Sequence, residues 1–74
     1  MESLNSVNIK RREIELQETF SDVYRRIWIQ YTRFNNVVIT VFPKNVGGDY
    51  RMFFAKNVQD FSLENLRNIV LSQM

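Results

Sequence analysis

The 74-residue sequence contains neither cysteine nor histidine. That removes disulfide staples, thiol catalysis, zinc sites of the Cys/His type, Ser-His-Asp relays and histidine-based pH switches. A secreted domain this small usually depends on disulfides, so their absence favours a reducing compartment, cytoplasm or nucleus, or a virus or phage protein made there. Glycine occurs twice and proline once, too rarely for a flexible linker or a low-complexity tract. No apolar run approaches the ~20 residues of a membrane span. The opening Met1-Glu2-Ser3-Leu4-Asn5-Ser6 lacks the apolar stretch of a secretory signal. The reading is a soluble intracellular protein with no membrane partner.

What the chain does hold, 45% apolar and 14% aromatic residues, is enough to order one globular unit. Its length excludes a two-domain enzyme or a doubly wound sheet, because so short a chain buries only about 60% of its surface. Ten Lys and Arg against eight Asp and Glu give a net charge of +2, which permits an anionic partner without requiring one. The bases come in groups, Lys10-Arg11-Arg12 and Arg25-Arg26, then Arg33, Lys44, Arg51 and Lys56. Glu13, Glu15, Glu18 and Asp22 are interleaved with the first of these groups.

Residues 1–8 show no sustained period and read as a flexible N-terminal arm. The remaining residues, 9–74, read as a single α+β domain. From Ile9 to Phe34 there is no Gly or Pro, and Ile9, Leu16, Phe20, Val23, Tyr24, Ile27, Tyr31 and Phe34 recur at helical spacings. This pattern predicts a long helix of about 24 residues and ~36 Å, with Arg11–Glu15 and Asp22–Arg26 pairs on its polar face. Trp28 and Ile29 fall outside its apolar stripe. Asn35-Asn36 is the expected stop, since Asn tolerates the left-handed conformation of a helix end.

Two strands follow, Val37 to Phe42 and Tyr50 to Ala55, separated by a turn containing Gly47-Gly48. Both are apolar on their two faces, so such a hairpin needs covering on both. A second amphipathic helix runs from Leu63 to Met74, with Ser62 or Asp60 as its N-cap. The order is thus α-β-β-α, and dimerisation of two hairpins into a four-stranded sheet would cover the exposed face and edges.

No constellation carries enzymatic chemistry. Glu13 projects about 160° from Glu15 on a helix, so the three helix glutamates do not converge on a substrate or a metal. Asp49 and Lys56 lack the second acid of a metal-dependent nuclease. Gly47-Gly48 precedes a strand and not the helix a phosphate loop needs. The sequence therefore implies no catalytic residue, no cofactor, no metal and no small-molecule ligand. Its leading reading is a non-enzymatic interaction or assembly module, a homodimer or a partner of another protein. Trp28, Ile29, Tyr31 and Phe34 are the expected anchors, because aromatic residues dominate interfaces. The alternative is a small nucleic-acid-binding protein using Lys10, Arg11, Arg12, Arg25, Arg26 and Arg51, with Tyr50 and Phe53 interleaved as in base-stacking sheets. The neighbouring glutamates weigh against that alternative, since they would repel phosphates along the same helix.

Overall fold

The computed structural model describes residues 6–44 and 49–74. Its order is helix α1 (Ser6–Thr19), strands β1 (Tyr24–Tyr31), β2 (Val37–Pro43) and β3 (Arg51–Ala55), and helix α2 (Leu63–Gln73). The class is α+β, with the hairpin and the C-terminal helix where the sequence places them. The Gly47-Gly48 turn lies outside the described residues. So do residues 1–5 of the expected arm, while residues 6–8 belong to α1.

The long helix is corrected. It stops at Thr19, whose hydroxyl donates to Glu15 O, and residues 20–23 turn through Val23 N–H to Phe20 O and Tyr24 N–H to Phe20 O bonds. The chain then returns as a strand. Residues four apart share a side in a strand as well as in a helix, so Ile27 and Tyr31 satisfy both periods. The discriminating residues are the two that broke the helical stripe: Ile27 and Ile29 face one way, while Trp28 faces the other. Asn35 does adopt the left-handed conformation (φ 61°), but in the β1–β2 turn. That turn is closed by Thr32 N–H to Asn36 O and by Asn36 N–H to the Thr32 hydroxyl.

The sheet is antiparallel with order β1-β2-β3. β1 and β2 pair from Tyr24↔Pro43 to Tyr31↔Val37, and β2 and β3 from Val37↔Ala55 to Val41↔Arg51. On one face Ile27, Ile29, Val37, Ile39, Val41 and Phe53 join Leu16 and Phe20 of the α1 side and Leu66 and Val70 of α2 in the core. Arg12 ties the helical layer together, its Nε donating to Phe61 O ahead of α2 while its guanidinium pairs with Glu15. Ser62 is the N-cap of α2 and accepts from Asn65 N–H, an arrangement worth about 1 kcal/mol.

Both sheet edges meet helix side chains. Along β1, Glu13 Oε2 accepts the Ile29 N–H at 3.0 Å and Gln17 Oε1 accepts the Ile27 N–H at 3.3 Å. The spacing explains the fit: four residues of helix advance ~6 Å, and two residues of strand ~6.6 Å. α1 running antiparallel to β1 thus offers acceptors in step with the edge amides. Along β3, the Gln73 amide both accepts from Phe54 N–H and donates to Phe54 O. Edge-to-edge pairing at β1 is therefore obstructed by the chain's own helix.

Candidate functional site

The helices cover one face of the sheet. The other face is built from Arg26, Trp28 and Gln30 of β1, Val38, Thr40 and Phe42 of β2, and Met52 and Phe54 of β3, as the registers Trp28↔Thr40↔Met52 and Gln30↔Val38↔Phe54 dictate. Among the described residues no helix lies over it, yet it is rich in large apolar groups: Trp28 is 46% and Phe54 60% exposed, and Met52 and Tyr50 are also open to solvent. Thr40, in the middle between Trp28 and Met52, is only 8% exposed.

Three rings form a row across this face. Trp28 meets Phe42 edge-on with centroids 4.9 Å apart, and Phe42 meets Tyr50, just ahead of β3, at 6.1 Å. Two guanidinium groups lie over these rings. Arg25 lies 6.0 Å from the Phe42 centroid and Arg26 5.9 Å from that of Trp28. Consecutive strand residues normally point to opposite faces, but the register shifts between Tyr24 and Arg26. A bulge of this kind leaves one residue outside the ladder, which lets Arg25 and Arg26 serve the same face. With Gln17, Trp28 and Phe42 they line a shallow open depression at the β1 end.

The charge of the strands themselves is one-sided, although exposed Asp49 directly precedes Tyr50 ahead of β3. The three strands read YRRIWIQY, VVITVFP and RMFFA, with three arginines and no carboxylate. Among the described residues neither Arg25 nor Arg26 joins an ion pair, whereas Lys10 pairs with Glu13 and Arg12 with Glu15. Glu15 thus takes Arg12 and not Arg11, and Asp22 and Arg26, no longer on one helix, do not pair.

The expected anchors do not form one surface. Trp28 is on the open face, but Ile29 points into the core at 5% exposure, as the residue after Trp28 in a strand must. Tyr31 is half-buried, edge-on to Phe61, its hydroxyl donating to Asn35 Oδ1. Phe34 is 74% exposed, but in the β1–β2 turn. The expected cations also divide. Arg25 and Arg26 come together on the open face, Lys10, Arg11 and Arg12 belong to the helical layer, and Arg51 lies on the core side beside Tyr24, Pro43 and Lys44. Phe53, read with the stacking residues, is buried, and Phe54 takes the outward position. Phe42, Met52 and Phe54 were not singled out. Strands apolar on both faces do not show in sequence which residues point outward, and only pairing with β1 settles it.

Among the described residues no cluster of three His, Cys, Asp or Glu side chains could hold a metal ion, and no helix is long and apolar enough to cross a membrane. No protein-family model, curated protein or solved structure matches this chain. The functional reading rests on its own residues.

Burial pushes the Tyr24 hydroxyl above its ordinary pKa, partly opposed by the Arg51 charge. The folded state therefore holds this proton more tightly than the unfolded one. Tyr24 stabilises the fold below the ordinary tyrosine value of about 10, and that contribution is lost as pH rises through the higher folded value. Chemical denaturation between about pH 9 and pH 11 should show stability falling with pH, and Tyr24→Phe should flatten the decline. An unchanged slope in the variant would remove Tyr24 as its source.

Proposed function

We propose that this chain is a non-enzymatic binding domain whose working surface is the helix-free face of its sheet. One observation supports the reading above others: a contiguous apolar and aromatic face, flanked by two unpaired arginines, is left open by a fold that closes its β1 edge with side chains of α1. Exposed patches of this kind mark interaction sites. Two of the three acids of α1 have structural partners, Glu13 an edge amide and Glu15 the Arg12 guanidinium.

A homodimer is the second reading. Face-to-face packing of two copies would cover Met52 and Phe54 of both and set the helices outside. It would also bring the arginines of both copies into an interface whose strands offer no carboxylate, and burying unpaired charge is costly.

The test separates binding from folding. Trp28→Ser with Phe54→Ser should lower stability by no more than about 1 kcal/mol, a melting shift of about 4–8 °C for a domain of this size. A loss as large as that of a core truncation, about 3 kcal/mol, would make these side chains part of the fold's own core and overturn the reading.

A further inference from the structure

Resting on the open face as the working surface, we infer that its occupant is a single-stranded nucleic acid. Bases stack on the row formed by Trp28, Phe42 and Tyr50, and Arg25 and Arg26 meet the phosphates. The ring row crosses the sheet from β1 to the start of β3 in steps of 4.9 and 6.1 Å, and its outer members Trp28 and Tyr50 are open to solvent. Every base has a π-face, so such a row accepts bases with little regard to sequence. Arg25 and Arg26 lie over the Phe42 and Trp28 rings, and a guanidinium held over one side of a ring leaves the other side to a base and can still donate in its own plane to a phosphate oxygen.

Charge complementarity selects the occupant. The strands present arginine and no carboxylate, and among the described residues Arg25 and Arg26 are without ion-pair partners. The helix glutamates do not cancel this charge: Glu13, at the β1 edge, is engaged by the Ile29 N–H and Lys10, and Glu15 by Arg12. The strands of a second copy supply rings without carboxylates, and an acidic peptide supplies anions without a run of planar rings. A single strand supplies both. A duplex keeps its base faces stacked on one another and cannot offer them to Trp28.

The experiment is fluorescence anisotropy of the intact chain with labelled oligothymidylate and oligouridylate of about 12 nucleotides, a matched duplex and polyglutamate, followed in parallel by Trp28 emission. Both single strands should bind, with Trp28 emission quenched and the duplex and polyglutamate weaker. With two phosphates engaged at about 0.7 counterions each, affinity should fall about sevenfold between about 50 and 200 mM salt. Arg25→Gln with Arg26→Gln should remove most of that dependence. Trp28→Ala should weaken binding at least about fivefold, and Lys10→Gln with Arg11→Gln should change it little.

Absence of binding, equal affinity for duplex or polyglutamate, or indifference to Trp28→Ala would each overturn the proposal. Sedimentation separates this failure from that of the underlying reading. A dimer that ignores oligonucleotide and dissociates on Phe54→Ser keeps the open face and replaces its occupant with a second copy. No association of any kind, together with unfolding of the Trp28→Ser, Phe54→Ser variant, removes the face itself.

Discussion

Ile29→Ala is expected to lower the unfolding free energy by about 3 kcal/mol, while Trp28→Ala, one residue away, costs about 1 kcal/mol or less. The two side chains leave the same strand in opposite directions. Ile29 sits in the core opposite Ile39, and its truncation leaves a cavity between sheet and helices. Trp28 stands on the open face, where its chief neighbour is the Phe42 ring. For a domain this small, whose total stability is on the order of 4–11 kcal/mol, the first loss brings the protein close to unfolding at physiological temperature. Thermal or urea denaturation of the two variants measures the difference directly. Equal losses would mean that β1 is not seated as described, and a helix through Trp28 and Ile29 would return as the explanation.

Removal of the α1 side chains from the β1 edge should have the second large effect. In Glu13→Ala with Gln17→Ala, the Ile29 and Ile27 amides lose their acceptors. Unsatisfied amides that water reaches poorly cost about 1–3 kcal/mol each, so a total near 2 kcal/mol is expected, the longer Gln17 bond giving the smaller share. The variant also exposes a strand edge, and edges template pairing with other chains. Sedimentation should therefore show association that grows with protein concentration in the variant and not in the parent. Glu13→Gln keeps an acceptor oxygen at the position and should retain most of the stability. A double variant as stable and as unassociated as the parent would show that water replaces these side chains without loss.

These two predictions depend on a strand that the sequence disguises. Ile27 and Tyr31 are four residues apart, a spacing that fits a helix face and a strand face equally. The run from Ile9 to Phe34 contains no Gly or Pro to mark the change. The Phe20–Val23 turn is closed by backbone hydrogen bonds, and its Ser21-Asp22 pair is a turn signal that the uninterrupted helical spacing on either side outweighs. The exceptions carried the information: Trp28 and Ile29 violate a helical stripe because they belong to a two-residue period. The candidate site carries the same ambiguity: Trp28, Ile29, Tyr31 and Phe34 cluster on a helix, but on a strand and turn only Trp28 of them reaches the open face.

The amino-acid sequence by itself determined the class of the fold, the hairpin, the capped C-terminal helix and the narrowness of the chemistry. β-branched runs, a Ser N-cap and missing Cys and His act locally, and no other part of the chain can reverse them. Tertiary structure decided the third strand, because a segment with mixed periodicity takes the conformation its neighbours reward, and β2 offers β1 a full antiparallel ladder. It also decided which side of β2 and β3 meets solvent. Both sides are apolar, so burial alone ranks them nearly equally, and the choice falls to pairing with β1, whose Ile27 and Ile29 face the helices and leave Trp28, Phe42, Met52 and Phe54 on the other side.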